Sequence, residues 1–470
     1  MIGKLQKHFT WIGIGIYLLS LLIVSLSFRQ YALRLEWIAW GTATVVFFFF
    51  LSYLFTQRWA HDDQRKFLLK VFWIAFIVRA AYVTAMLYYY YYRTGISLEY
   101  GAADSIAYHL TSSHFADDIR AGHFRKVWRT LNANTMGFSD QGYILYLTSL
   151  YTLFGKNVLG PRLLKALMSA YTCVAIYKLA VRNLGEKTAR LAAVMAVFLP
   201  QFIHYTGTYL KETEMVFLAT LAMERFDALI RTKKHAAWNI ISVILLTALT
   251  FGFRTIVGMI LLASYGISIL IADKALINKR IKYWAIGCLV VVTVVFAITP
   301  IGKEMWIIVK QNLKESDYTS KKYAYYGLKY AEYAHYKYLA PGAFTLPLTN
   351  MVEVANNNQK LMNGTYFVKN YLAFFAMWGI VCAIRQRGVK RFGLIGSYTI
   401  LYILVVAFSF AATSERYSFP AMPGFLILAA YAMTRFRRKD FLWYYGYNVV
   451  LLLAIVAWNY LKLSARGLIP

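Results

Sequence analysis

Continuous apolar blocks constrain the fold of this chain more than any other feature. Each block runs for about 18 to 26 residues, long enough to cross a hydrocarbon layer roughly 30 Å thick as an α-helix. Charged residues make up only 15% of the sequence, whereas soluble domains carry roughly 25%. The blocks are continuous and do not alternate between polar and apolar residues, which argues against membrane-spanning strands. The sequence therefore predicts an all-α polytopic membrane protein.

The positions of the blocks predict about thirteen transmembrane helices. The predicted spans are 9–27, 37–56, 67–92, 159–181, 190–207, 212–230, 236–253, 255–273, 283–300, 367–384, 392–411, 417–434 and 441–463. In chain order this gives two N-terminal helices in 1–66, a transmembrane core in 67–300 with a first long loop at 93–158, a second loop or small cap at 301–366, and C-terminal helices in 367–470.

Lys and Arg are distributed unevenly between alternate loops, and this predicts the orientation. One set of loops begins at Lys4 and Lys7 and is rich in basic residues throughout. The other set has short loops and a tail that hold only Arg29, Arg34, Lys211, Arg254, Arg416, Lys462 and Arg466. Basic loops face the cytoplasm, so we expect the N-terminus inside and the C-terminus outside. Both long loops then lie on the outer face.

The net charge of +30 does not indicate a nucleic-acid partner. A nucleic-acid-binding protein concentrates basic residues on one domain or stripe, whereas here they recur in short clusters between the apolar blocks. The charge is explained by topology and by attraction to anionic membrane lipids.

The first long loop contains two amphipathic stretches, at 104–121 and 143–154. Their apolar residues follow helical spacing, and Gly122 and Gly155 provide stop signals. Both stretches are too short to cross a bilayer, so we expect short helices that lie along the outer membrane surface.

Four polar stretches are predicted at the outer ends of spans. They are Asp104 with nearby Tyr108 and His109, the pair Lys211 and Glu212, Arg254, and the pair Glu415 and Arg416. Carboxylates can act as general bases or metal ligands, and cations can bind phosphate. No cofactor is firmly implied, and the pattern leaves open whether a divalent cation binds.

Structural roles are the alternatives for these residues. Asp104 could cap a helix, and Glu212 could be a first-turn acid that favours the helix dipole. Arg254 and Arg416 could be interface residues that extend toward water. Arg79 lies well inside the third span, where a charge usually faces a partner or a cavity, and the sequence does not identify an acid for it.

The order of several motifs resembles the GT-C glycosyltransferases, specifically bacterial members related to protein O-mannosyltransferases and the lipid A aminoarabinose transferase (glycosyltransferase family 39-like). Residues 67–235 carry most of the resemblance, and 412–434 carries part of it. The matching motifs are Ala103-Asp104-Ser105-Ile106-Ala107-Tyr108, Gly142-Tyr143-Ile144-Leu145-Tyr146, Leu153-Phe154-Gly155, Pro161-Arg162-Leu163-Leu164, Leu184-Gly185-Glu186-Lys187, Leu199-Pro200, Glu212 and Glu415-Arg416-Tyr417 with Pro420.

The resemblance implies an inverting glycosyltransferase that uses a polyprenyl-phosphate-linked sugar. Asp104 would be the base and Glu212 the second acid, while Lys211 and Arg416 would neutralise the departing phosphate. The remaining outer residues would contact substrate, namely Arg254, Tyr108, His109 and Glu415. The acceptor would be an envelope glycan, lipid or protein, and the enzyme would lie in the inner (plasma) membrane with its site on the outer face.

Two departures from the family pattern stand out. Many relatives have a second acid directly after the first, where this chain has Ser105. The first two spans, in residues 1–60, have no counterpart in the family core.

Two alternative functions remain open at this point. A polymerase or ligase acting on polyprenyl-diphosphate glycans would also work on the outer face, and would be expected to use paired outer arginines in its long loops. A flippase or transporter for lipid-linked sugars would be expected to show mid-membrane charges and internal symmetry. Arg79 is the feature that supports the second alternative.

Overall fold

The computed structural model describes residues 2–133, 138–232, 234–272, 277, 279–299, 302–303, 306, 342, 344–386, 389–408 and 415–469. Within these ranges the chain is helical and contains no named β-strand. The α-helices are α1 (Ile2–Ser27), α2 (Leu35–Arg58), α3 (Gln64–Thr94), α4 (Ala103–Arg120), α5 (Phe124–Ala133), α6 (Phe138–Phe154), α7 (Leu159–Leu184), α8 (Glu186–Phe198), α9 (Pro200–Gly207), α10 (Glu212–Arg231), α11 (Ala236–Phe253), α12 (Thr255–Ile271), α13 (Lys279–Ile298), α14 (Asn357–Leu361), α15 (Asn363–Arg385), α16 (Gly393–Phe408), α17 (Glu415–Ser418), α18 (Met422–Arg435) and α19 (Phe441–Ser464).

Seven helical segments are long and apolar enough to cross a membrane, among the residues described. They are Gln6–Ser27, Leu35–Arg58, Gln64–Thr94, Leu159–Leu184, Ala236–Phe253, Asn363–Arg385 and Arg438–Ser464. Each overlaps a predicted span, so the chain is an all-helical, multi-pass membrane protein. The predicted count of about thirteen spans is not confirmed.

One other predicted span, 283–300, coincides with the 20-residue helix α13. The remaining ones coincide with helices that are broken, charged or short over their described residues. The span predicted at 190–207 is divided into α8 and α9, because Leu199 is extended and Pro200 begins a new helix. Helix α10 carries acidic residues in its first turn and again at Glu224 and Asp227. Helices α12 and α18 have 17 and 14 residues, which is shorter than the roughly 20 that a perpendicular span requires. Helix α16 is described over 16 residues, and the residues that follow it lie outside the described ranges.

Arg79 is accommodated at the break between α8 and α9. Its guanidinium donates to the carbonyl oxygens of Ala196 and Val197 at 2.9 and 3.0 Å, and its Nε donates to Ser169 Oγ at 2.7 Å. A helix end leaves carbonyls without intrahelical partners, and the buried cation supplies donors to two of them. The mid-membrane charge therefore has a structural role, which removes the sequence feature that supported a transporter.

The two N-terminal helices pack against the C-terminal helices. Helix α2 packs along α15, and α1 packs along α19. Tyr17 donates to Asn363 Oδ1 at 3.1 Å, and the Trp40 indole donates to the Leu361 carbonyl at 2.8 Å. The first region of the chain is thus attached to the helices that follow the second long loop.

The predicted cap at 301–366 lies mostly outside the described residues. Its described C-terminal part forms an isolated antiparallel bridge between Val352 and Ala32. Asn358 donates to the Tyr100 carbonyl, and the Lys360 ammonium pairs with Glu353 at 2.8 Å. This segment therefore joins the start of the chain to the start of the first long loop.

Helices occupy both amphipathic stretches of the first long loop. Helix α4 is followed by Gly122 and α6 by Gly155, with φ of 78° and 84°, a backbone conformation that glycine adopts without a steric penalty. Helix α5 lies between them and was not predicted. Whether these helices lie on a membrane surface stays a prediction.

Replacing Gly379 with Ala is expected to destabilise the close packing of α15 against α18. Its added Cβ would lie 2.3 Å from the Leu428 carbonyl oxygen, where α15 packs against α18, and such overpacking costs about 1–3 kcal/mol. The measurement is the thermal unfolding midpoint of the purified protein in detergent. Gly446→Ala is the control, because no atom lies within 4 Å of its added Cβ. Equal midpoints for the two variants would show that the α15–α18 contact is not tight.

Candidate active site

Three charged residues from distant parts of the chain meet at one place. Arg416 in α17 donates through Nη1 to Asp104 Oδ2 at 2.5 Å and through Nε to Glu212 Oε1. The Glu212 side chain is fully buried, whereas the Asp104 side chain is 54% exposed and that of Arg416 is 22% exposed. The cluster therefore extends from the protein interior to an accessible carboxylate.

Asp104 does not cap its helix. The N-cap of α4 is Ala102, which makes no side-chain capping bond, and Asp104 lies within the first turn. That position is favourable for a negative charge near a helix N-terminus. The carboxylate nevertheless points to Arg416, so the capping interpretation does not account for its contacts.

A second cluster lies around Asp140, at the start of α6. Lys211 donates to Asp140 Oδ1, and the Tyr108 hydroxyl donates to the same oxygen at 2.9 Å. Burial lowers the pKa of Lys211 while Asp140 opposes that shift. Burial also raises the pKa of the Tyr108 hydroxyl, and Asp140 raises it further. Lys211 directly precedes Glu212, so the two clusters are neighbours.

The first cluster keeps Arg416 charged. Although burial opposes ionisation, Glu212 and Asp104 together raise the pKa of the Arg416 guanidinium well above its ordinary value. One oxygen of Glu212, Oε2, is buried and has no hydrogen-bond partner among the described residues. A buried acceptor without a partner is costly, so this oxygen is a point at which a bound ligand or water can donate.

Arg254 and His109 contact aromatic rings. The Arg254 guanidinium lies 4.7 Å from the centre of the ring of Tyr417, the residue that follows Arg416. His109 Nδ1 lies 2.7 Å from the Tyr151 hydroxyl. Burial lowers the pKa of His109, and Lys156 adds to that effect, so this aromatic cluster favours the neutral form of the imidazole.

Glu415 is held in a buried site of its own. Lys369 in α15 lies 3.3 Å from Glu415 Oε2, donates to Ser418 Oγ at 2.8 Å and also donates to the Leu346 carbonyl at 2.5 Å. Lys369 and Glu415 have side chains that are 2% and 1% exposed. The structure therefore gives Glu415 a role in anchoring the turn that carries Arg416.

Two more buried ion pairs support the loop before Lys211. Arg162 Nη2 lies 3.6 Å from Glu99 Oε2, and Lys165 Nζ lies 3.5 Å from Glu214 Oε2. Lys165 also donates to the carbonyls of Thr208, at 2.9 Å, and Leu210.

Glu99 links the same loop to the Asp104 region. It accepts from the Tyr209 backbone N–H at 3.0 Å and from the hydroxyl of Ser105. Ser105 follows Asp104, so Glu99 fixes the first turn of α4 relative to the residues before Lys211.

Several of these residues were not predicted from the sequence. Arg162 and Lys165 lie three residues apart in an apolar block, a spacing that places them on one helix face, and charges inside a block are a functional signal. Asp140 could have been recognised as a first-turn acid. Lys369 had only its position inside an apolar block as a signal.

Within the described residues there is no group of three or more His, Cys, Asp or Glu side chains placed to hold a metal ion. The carboxylates of the first cluster instead have the Arg416 guanidinium as their shared partner.

Taken together, the fold and these clusters describe a multi-pass membrane protein with a charged site built from distant segments. Residues 143–298 match the family model described as dolichyl-phosphate-mannose-protein mannosyltransferase. The match covers about a third of the chain and includes Lys211, Glu212 and Arg254, but not Asp104 or Arg416. It supports a glycosyltransferase of the GT-C superfamily. No curated protein matches the chain.

Breaking the pair of Lys369 and Glu415 should destabilise the protein strongly. Lys369→Met would leave a buried carboxylate without its cation, at a cost of about 3–5 kcal/mol. The double variant Lys369→Met/Glu415→Gln should recover part of that loss, because no buried charge remains. Chemical unfolding in detergent measures the single variants Lys369→Met and Glu415→Gln and the double variant.

The control for this pair is Arg93→Met, which removes the cation of an ion pair whose side chains are both more than 40% exposed. We expect little effect there. If the losses in the free energy of unfolding of the two single variants at positions 369 and 415 simply add up in the double variant, a direct interaction between these residues is contradicted.

Proposed function

We propose that the protein transfers a sugar from a polyprenyl-phosphate donor to an acceptor hydroxyl, with inversion at the anomeric carbon. The observation that carries this proposal is the bridge from Arg416 to both Asp104 and Glu212. It places an accessible carboxylate beside a permanent cation. The family match over residues 143–298 supports the same reaction class.

Asp104 is proposed as the general base. Its half-exposed side chain is the accessible carboxylate of the cluster, which an acceptor can approach. The acceptor hydroxyl gives its proton to the carboxylate while its oxygen forms a bond to the anomeric carbon. The bond from that carbon to the phosphate oxygen breaks, and the electron pair leaves with the polyprenyl phosphate.

The departing phosphate requires positive charge close by. Arg416, Lys211 and Arg254 are proposed to supply it, since all three lie within or next to the two clusters. Arg416 is paired with carboxylates in the structure described here, so donor binding would exchange part of that pairing for phosphate oxygens. This exchange would also release Asp104 to act as a base.

Glu212 is proposed to hold Arg416 in position. It is buried and accepts from the guanidinium Nε, while the terminal nitrogen Nη1 donates to Asp104. The second carboxylate oxygen of Glu212, Oε2, has no partner among the described residues. It can therefore accept a hydrogen bond from a hydroxyl of the donor sugar.

The setting of the reaction is also part of the proposal. We place the site on the non-cytoplasmic face of the inner membrane, with the N-terminus in the cytoplasm, and the acceptor is an envelope glycan, lipid or protein. The core at 67–300 would carry most of the site, 367–470 would contribute Arg416, and the two helices in 1–66 would be an addition to the family core. No described contact favours a flippase, because Arg79 is occupied by backbone carbonyls.

Replacing Asp104 with Asn should abolish most transfer while leaving the fold intact, because the amide oxygen still accepts from Arg416. Loss of a general base lowers the rate by a factor of about 10² to 10⁴. The assay follows label from a panel of radiolabelled polyprenyl-phosphate sugars into the envelope fraction, using purified membranes that contain the full chain.

The matched control is Asp117→Asn. Asp117 lies on the same helix, is exposed, and pairs with Lys156 at 2.5 Å, so near-normal transfer is expected. Transfer by Asp104→Asn within twofold of the unmodified protein would remove Asp104 from the role of base. Absence of transfer from every donor by the unmodified protein would contradict the proposed reaction.

A further inference from the structure

A polar cavity lies at the end of the helices opposite to the candidate active site. Helix α15 carries Lys369 in its second turn and ends near Gln386, and α18 begins shortly after Arg416 and ends at Arg435. The cavity has a volume of about 190 Å³ and is lined by Asn183, Leu184, Gln386, Arg391, Phe392, Tyr431 and Arg435. One water needs only about 10–15 Å³ on such a measure, so the cavity has room for a larger polar group.

Two arginines face this cavity, and its lining contains no carboxylate. Among the ion pairs of the described residues, neither Arg391 nor Arg435 has an acidic partner. Neighbouring arginines on the same end of the molecule differ in this respect. Arg182 pairs with Asp227 at 2.6 Å, and Arg231 pairs with the same carboxylate at 2.8 Å.

The remaining lining residues give the cavity fixed walls. The Arg435 guanidinium lies 5.7 Å from the centre of the Tyr431 ring, and that ring meets Phe392 edge to face with centroids 4.8 Å apart. The Tyr431 hydroxyl donates to Gln386 Oε1 at 2.9 Å. This bond orients the Gln386 amide, whose NH₂ group has no partner among the described residues.

We propose that this cavity binds a phosphate group, held by Arg391 and Arg435 with the Gln386 amide as an additional donor. Guanidinium groups present paired donors that match phosphate oxygens, and two unpaired cations around one polar cavity favour a dianion or a phosphodiester over a neutral ligand. This inference is independent of the proposed transfer reaction, because none of its residues belongs to the candidate active site.

The phosphate can come from a membrane lipid headgroup or from a soluble phosphate compound. The cavity lies where α15, a membrane-crossing segment, ends, which is the depth of lipid headgroups. The chemistry is the same for both sources, so the binding experiment has one arm for each.

The experiment uses the full chain purified in detergent. One arm adds inorganic phosphate, and the other adds dioctanoyl phosphatidic acid with dioctanoyl phosphatidylcholine as the zwitterionic comparison. Binding is followed through the concentration dependence of the thermal unfolding midpoint, since a ligand that binds only the folded state raises it. Saturation by the anionic lipid alone identifies a headgroup, and saturation by inorganic phosphate as well identifies a site open to soluble phosphate.

The decisive variant is Arg391→Gln/Arg435→Gln. It should weaken binding of whichever probe saturates by about tenfold or more, because hydrogen bonds from charged groups contribute much of the binding free energy. The matched control is Arg438→Gln/Lys439→Gln, which removes the same charge from equally exposed residues that do not line the cavity and should stay within twofold. Equal weakening in both double variants, or no saturable binding of either probe by the unmodified protein, would overturn the proposal.

Discussion

The contact between Arg416 and two carboxylates is the interaction on which the architecture of the site depends. It joins Arg416 in α17 to Asp104 in the first turn of α4 and to Glu212 at the start of α10, which are 312 and 204 positions away in the sequence. The three residues come from different helices, so no single segment holds this geometry. The site therefore exists only when the helices behind these segments are packed.

Buried ion pairs fix the positions at which these helices pack, although burying the charges costs desolvation free energy. The pairs of Arg162 with Glu99 and Lys165 with Glu214, together with Lys369 and Glu415, have both partners almost fully buried. Such pairs contribute little net stability, but loss of one partner is expensive. Their Lys and Arg members also donate to backbone carbonyls, so each pair fixes a loop as well as a charge.

The meeting of three site residues was predictable from the sequence, whereas the identity of their other neighbours was not. Block boundaries and alternating loop charge placed Asp104, Glu212 and Arg416 at one level, and the structure brings these three into contact. Hydropathy carries no information about which helices are neighbours, so Asp140 as the partner of Lys211 and Lys369 as the partner of Glu415 could not be identified. The roles of all these residues stay predictions.

The break at Pro200 has a consequence for how the backbone is covered inside the helical bundle. Helix α8 has 13 residues, about 20 Å of rise, so it ends well short of crossing a layer roughly 30 Å thick. Irregular backbone inside a membrane protein persists only where protein covers it or water reaches it, and the Arg79 guanidinium covers this break by donating to the carbonyls of Ala196 and Val197. Two short helices thus replace one continuous span, and the carbonyls that the break frees have partners within the protein itself.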